Sequence, residues 1–296
     1  MAAAQALASG HVSARTAPAI LDEQRDGDAC TLQLLVPTDL DYFPGHFPQA
    51  PVLPGVAQVG WALQLAASHL GTSLHCREME ALKFQHILQP NQRTTLALRR
   101  DSMRGKLHFA FQGSERLHSS GRLVLASPEE LEAGSRAWVP PHVPTPWPIA
   151  ELLPHAGEMI LLDAVLEHGP EHALCSRRVP ASGLFHDADG NLPAWMGVEL
   201  MAQAIAAWAG CQAREAGAPV RLGFLLGTRH YACNVAAFAP GSDLRIEARR
   251  DFHDDNGMGV FACRIEAPGV LAEARLTVFS PPDASALFQS KEPTHG

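Results

Sequence analysis

A long charge-free stretch near the start of the chain places the strongest constraint on its fold. Residues 41–71 read DYFPGHFPQAPVLPGVAQVGWALQLAASHLG, and no Lys, Arg, Asp or Glu follows Asp41 until Arg77. Pro54-Gly55 precede an apolar segment, residues 56–70, which fits a helix that is capped at Gly71. Because this helix is apolar on nearly every face, we expect it to be buried in a domain. The polar residues within it argue against a membrane span.

Length and composition limit the classes of protein to consider. A chain of 296 residues has room for two domains of about 130 residues, each with its own core. The net charge of −8 argues against nucleic acid as the principal partner. The six cysteines are far apart, and neither a CxxC nor an HExxH motif occurs. We therefore expect reduced thiols, no metal site, no cofactor and, since no signal peptide is visible, a cytoplasmic location.

An internal repeat divides the chain in two. LPGVAQVGWALQLAASHLG (53–71) aligns without a gap with LPAWMGVELMAQAIAAWAG (192–210). Downstream, PNQRTTLALRR (90–100) aligns with PGSDLRIEARR (240–250), and GRLVLASP (121–128) with ARLTVFSP (274–281). Three matches in the same order predict two copies of one fold.

The remaining patterns predict the domain boundaries and the fold class. Strand-like runs at 20–36, 80–88, 94–100, 107–112 and 121–126 surround the helix, which is typical of an α+β domain with an antiparallel sheet. We predict an N-terminal domain at 19–127, a Pro-rich linker at 128–148 and a C-terminal domain at 149–282. Residues 1–18 and the tail from 282 are expected to be disordered.

Three stretches of the sequence resemble motifs of a known family. GHFPQAPVLPGV (45–56) is similar to the signature of bacterial 3-hydroxyacyl-acyl carrier protein dehydratases, and Leu82-Lys83-Phe84 to the strand after their helix. ELLPH (151–155) and MILLD (159–163) resemble the family's LLPH…LLxD opening. The resemblance implies two tandem hot-dog domains, each an antiparallel sheet wrapped around a central helix, that form an intramolecular pseudo-dimer. The paired dehydratases of aryl polyene pathways are similar to the two halves: the first half resembles one partner, and the second half resembles the other.

The halves depart from the family pattern in complementary ways. The family's acidic residue follows the catalytic histidine, here His46, by fourteen positions, and Gly60 stands there. The repeat aligns Gly60 with Glu199, and His46 with Phe185, which His186 follows. In the family, each site takes its histidine and its acid from different protomers. We therefore predict one composite site from His46 and Glu199, and a second, inactive site.

The resemblance implies elimination of water from a 3-hydroxyacyl thioester. A neutral His46 would remove the α-proton, and a protonated Glu199, with its pKa raised by the apolar helix, would protonate the leaving hydroxyl. Gln203 lies one helical turn after Glu199 and is expected to orient its carboxyl group. The N–H groups of Gly55 and Val56 at a helix start would bind the thioester oxygen.

Other candidates and alternatives stay open. His155 and His186 are minor catalytic candidates, and the basic segment Arg99, Arg100, Arg104 and Lys106, repeated at Arg249 and Arg250, is a candidate docking surface for acyl carrier protein. The expected pathway is fatty acid or polyene biosynthesis, with further homo- or hetero-oligomers. One alternative is an acyl thioesterase that uses Glu199 alone. Another is a non-catalytic subunit that supports an active partner.

Overall fold

The predicted buried helix is present with the expected ends. The computed structural model describes residues 15–126, 145–254 and 256–281. Helix α1, Gly55–Leu70, begins directly after Pro54. Gly71 has a φ of 63°, in the left-handed region, and its N–H donates to the carbonyl oxygen of Ala67. Glycine adopts this conformation without steric cost, so the Gly71 cap is confirmed.

The strands of the first half coincide with the predicted runs. The run at 20–36 is a hairpin, and the other four runs each overlap one strand. The strands are β1 (Ala19–Asp26), β2 (Ala29–Leu35), β3 (Cys76–Phe84), β4 (Arg93–Asp101), β5 (Lys106–Gln112) and β6 (Leu117–Leu125).

The second half repeats this order of elements, as the internal repeat predicts. A hairpin precedes helix α2 (Gly197–Glu215), and the long strands follow it. The strands are β7 (Ala164–His168), β8 (His172–Arg178), β9 (Leu192–Pro193), β10 (Phe224–Cys233), β11 (Ala237–Phe238), β12 (Asp243–His253), β13 (Met258–Ala267) and β14 (Val270–Phe279). The short β9 and β11 pair with each other in a sheet of their own.

One antiparallel sheet of twelve strands joins the two halves. Its order is β1-β2-β4-β5-β6-β3-β10-β14-β13-β12-β8-β7, so the second half mirrors the first about the β3–β10 pair. Thr228 on β10 lies opposite Leu82 on β3. At Gly227 a Cβ would lie 2.0 Å from the Leu82 carbonyl oxygen, so this central pairing requires glycine. The fold is therefore α+β, with two hot-dog-like halves in an intramolecular pseudo-dimer.

The core lies between the sheet and the two helices. Helix α1 packs on β2, β4 and β5, and α2 packs mainly on β8, β12 and β13. Burial alternates along β2 and β4, as expected of strands with one face on a core. Neither helix has the length and apolar character to cross a membrane, within the part of the chain that is described.

Two details differ from the sequence-based expectations. Residues 15–18 were expected to be disordered, but the indole nitrogen of Trp61 donates to the carbonyl oxygen of Thr16 over 2.7 Å. In the predicted linker, the Thr145 N–H donates to the Val165 carbonyl oxygen, and Trp147 packs on the core. Both short segments therefore belong to the packed structure. The rest of the linker, and the first fourteen residues and the tail from 282, lie outside the described residues.

Candidate active site

His46 lies in the loop before α1 with one ring nitrogen already engaged. Its Nδ1 is 2.9 Å from the carbonyl oxygen of Val52, and its side chain is buried. Since a carbonyl oxygen only accepts hydrogen bonds, Nδ1 carries the proton and Nε2 keeps its lone pair. Burial lowers the pKa of His46 to about 4, against a smaller opposing effect of the Val52 hydrogen bond. The ring is therefore a neutral base at physiological pH.

Glu199 is the third residue of α2 and is buried as well. Its Oε1 accepts a hydrogen bond of 2.9 Å from the Gln203 side-chain amide. Burial raises the pKa of the Glu199 carboxyl group, and the Gln203 hydrogen bond opposes this only in part. A carboxyl group in this setting keeps its proton to a higher pH than an exposed glutamate.

Gln203 is held in place by the loop that precedes β7. Its amide nitrogen also donates to the Met159 carbonyl oxygen over 2.8 Å, and its Oε1 accepts from the Leu161 N–H over 2.9 Å. With all three bonds made and no exposed surface, the amide has one orientation. Gln203 therefore aims the Glu199 carboxyl group, in the position that helical spacing predicts. Its repeat counterpart, Gln64, is exposed.

His155 contacts both of these groups. Its Nε2 lies 3.6 Å from Glu199 Oε1, and its ring centroid lies 5.5 Å from that of His46. Burial first, and then repulsion from a protonated His46, lower the pKa of His155 to about 3. Its Nδ1 is buried and finds no hydrogen-bond partner among the described residues. His155, a minor candidate from the sequence, therefore has a central position, and the LLPH motif is the signal for it.

The start of α1 supplies backbone donors beside His46. Gly55 and Val56 are the first two residues of the helix, and no side chain caps it at Pro54. The first N–H groups of a helix have no acceptor within it. Since these two donate to none of the described residues, they are available to an oxygen atom in front of the helix. Gly55 leaves room for the Phe84 ring, which a Cβ there would meet at 2.8 Å.

One cleft of about 1470 Å³ brings most of these residues together. His46, Gly55, Val56, His155 and Glu199 all line it. Gln203 lies behind Glu199 and does not line the cleft. Gln58, which no sequence motif indicates as a site residue, also lines it. Its Oε1 accepts from the Ser119 hydroxyl over 2.6 Å.

The pseudo-symmetric second position is filled by aromatic rings. A Cβ at Gly60 would lie 3.1 Å from the ring of Trp195. Phe185, the counterpart of His46, stacks on Tyr42 with ring centroids 5.2 Å apart. His186 lies outside the cleft, and its pKa is lowered, chiefly by burial. The structure does not bring His186 to the other candidate residues.

The predicted basic segment does not line the cleft. Arg100 pairs with Asp28, Arg104 with Asp101 and Lys106 with Glu80, at 2.6, 3.6 and 2.7 Å. Exposed arginines do line the cleft, and they form no ion pair within the described residues. They are Arg93, Arg116 and Arg221.

A group of possible metal ligands lies away from the cleft. The donor atoms of Glu23, Cys30 and His69 lie within 4.8 Å of one another. His69 Nδ1 is 2.8 Å from Glu23 Oε1. This direct contact already explains why two of the three donor atoms lie close together.

Comparison with known proteins identifies both halves. The ApeI dehydratase family model matches residues 22–122, and the ApeP dehydratase model matches residues 147–289. A chain of the dehydratase heterocomplex ApeI:P from Xenorhabdus doucetiae is 36% identical, over 48% of this chain and 95% of that chain, with a TM-score of 0.45. No curated protein matches this chain.

Solved dehydratase domains share the fold over nearly the full length. The dehydratase domain of PpsC from Mycobacterium tuberculosis is 13% identical, with a TM-score of 0.60 over 90% of this chain and 98% of that one. A domain from a mycocerosic acid synthase-like polyketide synthase is 14% identical, with a TM-score of 0.56 over 93% and 99%. The expectation of one partner-like sequence in each half is confirmed. The chain belongs to the double hot-dog dehydratase family, with an ApeI-like first half and an ApeP-like second half.

Proposed function

We propose that this protein is a hydro-lyase that converts 3-hydroxyacyl thioesters to trans-2-enoyl thioesters at one composite site. The observation that carries the proposal is that His46 of the first half and Glu199 of the second line the same cleft, with His155 beside both. The two side chains line one cleft, one as a neutral base and the other as a carboxyl group of raised pKa. Groups whose environments favour opposite protonation states are suited to act as base and acid in one reaction.

The reaction divides between these groups as follows. His46 Nε2 removes the proton from the carbon next to the thioester, and the electron pair left behind forms the carbon–carbon double bond. The bond to the 3-hydroxyl breaks, and Glu199 donates the proton that releases it as water. Negative charge that develops on the thioester oxygen is stabilised by the Gly55 and Val56 N–H groups at the positive end of α1. His46 then holds a proton and Glu199 lacks one, and exchange with water in the cleft restores both.

The substrate in this proposal is bound to an acyl carrier protein in the cytoplasm, in fatty acid or polyene biosynthesis. Carrier proteins are acidic, whereas this chain has a net charge of −8, so docking needs a local positive surface. Arg93, Arg116 and Arg221 supply it at the cleft and form no ion pair within the described residues, and the carboxylates of Glu115 and Asp254 line the same cleft. These arginines replace the segment around Arg100, whose charges are largely neutralised by neighbours.

Mass spectrometry tests the proposal directly. The protein is incubated with a 3-hydroxyacyl-carrier protein, and the expected product is lighter by one water molecule. Loss of the whole acyl group would instead indicate a thioesterase, and an unchanged substrate would favour the non-catalytic alternative. A His46→Ala, Glu199→Gln double variant is the control for non-enzymatic elimination.

A further inference from the structure

His155 lies in a segment that is fixed on both sides. Before it, the Leu152 carbonyl oxygen lies so close to α2 that a Cβ at Gly210 would meet it at 2.1 Å. After it, the Ala156 N–H donates to the Gly45 carbonyl oxygen over 3.0 Å. Gly210 belongs to α2, and Gly45 directly precedes the proposed base. The two elements that carry the proposed catalytic groups therefore also hold His155.

The His155 ring packs between the two halves. Its centroid lies 5.0 Å from that of the Phe47 ring, with an edge-on arrangement, and 5.5 Å from that of His46. Its Nε2 lies 3.6 Å from Glu199 Oε1, and its side chain is only 8% exposed. The ring therefore touches the proposed base with its face or edge and the proposed acid with one nitrogen.

The surroundings of the two ring nitrogens determine which of them carries the proton. Nδ1 is buried and finds no hydrogen-bond partner among the described residues, whereas Nε2 has a carboxyl oxygen in front of it. A proton on Nδ1 would be buried without an acceptor, which is costly. Because the pKa of His155 is lowered to about 3, chiefly by burial, the ring has only one proton. This proton is on Nε2 and points toward Glu199.

The separation of 3.6 Å suits a donor that acts during the reaction. It exceeds the usual N–H···O distance of about 2.7 to 3.2 Å, so the contact is weak in the resting site. Glu199 is neutral there, because burial raises its pKa, and its Oε1 already accepts from Gln203. Once Glu199 releases its proton, the negative charge attracts the N–H group and the contact tightens. An interaction that is stronger in the transition state than in the resting state accelerates the reaction.

The neutral state of His155 is as important as its position. A histidine cation beside Glu199 would favour the carboxylate in the resting enzyme, and the site would then lose its acid. Burial and repulsion from a protonated His46 prevent this, because both lower the pKa of His155. A neutral donor stabilises the charge only as it develops.

We propose that the Nε2–H group of His155 stabilises the Glu199 carboxylate as it forms, and that His155 is a positioning residue that acts through this acid. The inference rests on the proposed dehydratase function. Glu199 gives its proton to the departing hydroxyl, which leaves as water, and His155 keeps its own proton throughout. The Gln203 amide and the His155 ring then both donate to Oε1 of the carboxylate.

Two amide substitutions separate the ring nitrogens. The side-chain nitrogen of His155→Gln can reach the place of Nε2, whereas that of His155→Asn reaches only the place of Nδ1. His155→Phe keeps a ring without a donor. We expect the Asn and Phe variants to lower kcat/KM for a 3-hydroxyacyl thioester by about 10- to 100-fold, the range for a lost hydrogen bond to a charged group. The Gln variant should keep most of the activity. The Asn and Gln pair decides the question even if the Phe variant does not fold.

The pH profile distinguishes this role from simple packing. Glu199 must be protonated to act as an acid, so kcat/KM falls at high pH with its pKa. Without the His155 donor the carboxylate is less stable, and the fall should move to higher pH by about one unit in the Asn and Phe variants. Loosened packing would instead admit water to Glu199 and move the fall to lower pH. Besides His46, the charged groups that line the cleft are the same in all variants, and they are Arg93, Glu115, Arg116, Arg221 and Asp254.

Different results contradict the inference and the proposed function. Wild-type activity in the Asn variant, equal losses in the Asn and Gln variants, or a fall at unchanged or lower pH would overturn the inference. If the wild-type protein does not dehydrate the substrate, the proposed function fails. In that case the Glu199 pKa, followed by carbon-13 NMR of protein with labelled glutamate and identified with Glu199→Gln, still tests His155. A higher pKa in His155→Asn than in wild type would support the inference, and an equal or lower one would refute it.

Discussion

Burial drives His46 and Glu199 toward the neutral form, which suits them to the opposite chemical roles that we propose. A neutral imidazole with Nδ1 bound to Val52 is a base at Nε2, whereas a neutral carboxyl group is an acid. On the surface, neither side chain would have the pKa shift that burial causes. The two roles meet only because the loop before α1 and the first turn of α2 line the same cleft.

The composite site predicts non-additive losses of activity. His46→Ala and Glu199→Gln should each lower dehydration by about 10² to 10⁴, the range for a positioned base or acid. The double variant should lose little more than either single variant, because both act in one step. The measurement is kcat/KM on one 3-hydroxyacyl thioester. His186→Ala is the control and should leave kcat/KM nearly unchanged. If the double variant lost activity by the product of the two single-variant factors, the two residues would act independently.

The same burial predicts that Glu199 destabilises the fold at neutral pH. Because the folded pKa is raised above the ordinary 4.5, the folded state binds this proton more tightly than the unfolded state. The free energy of unfolding then falls as pH rises from about 4.5 through the raised pKa. Glu199→Gln should therefore raise the melting temperature at pH 8 more than at pH 5. An equal shift at both pH values would contradict the raised pKa.

At the scale of elements, identical residues of the repeat have different tasks. Gly71 ends α1 in a left-handed conformation with open space around it. Gly210 lies inside α2, which continues to Glu215, and a Cβ there would lie 2.1 Å from the Leu152 carbonyl oxygen. Gly71 therefore allows the left-handed backbone conformation, whereas Gly210 allows the Leu152 backbone to pack closely against α2.

Alanine substitutions should separate these two tasks. Gly71→Ala should lower the free energy of unfolding by about 1 to 2 kcal/mol, the cost of a left-handed residue with a Cβ. Gly210→Ala should cost more, because the clash is with backbone that a side-chain rotation cannot relieve. Urea unfolding of both variants is the measurement. A larger effect at Gly71 would mean that the segment around Leu152 moves away easily.

Local patterns predicted those elements whose form depends on nearby residues. The β1–β2 hairpin, α1 with its Gly71 cap and the later strands follow from periodicity and turn residues. The repeat, together with the family motifs, also predicted that His46 and Glu199 each have no catalytic counterpart in the other half. Tertiary contacts determined the rest. The hydrogen bonds of Gln203 to Met159 and Leu161, and the contacts of His155, depend on how residues 151–161 pack against α2. Neither helical spacing nor the LLPH motif specifies that packing.

At the scale of the whole molecule, the β3–β10 pair makes two incomplete halves into one sheet. The pairing brings His46 of the first half and Glu199 of the second to a single cleft. At the other pseudo-symmetric position, Trp195 covers Gly60 and Phe185 stacks on Tyr42. This position is therefore filled by packed aromatic side chains. The cleft described above holds both proposed catalytic side chains, His46 and Glu199.

This division predicts that the halves work only together. Two chains cut within residues 127–144 leave intact the fourteen strands and the two α-helices that the described residues form. Each chain then carries one proposed catalytic group and an unpaired central strand, β3 or β10, which favours association with a matching edge. Either half alone, including any homodimer it forms, should be inactive, because it has His46 without Glu199 or the reverse. Co-expressed halves should elute together in size-exclusion chromatography and recover dehydration. As a control, a first half with His46→Ala should still form the complex but stay inactive. Full activity of one half alone would show that the reaction does not need both groups, and the composite site would then be wrong.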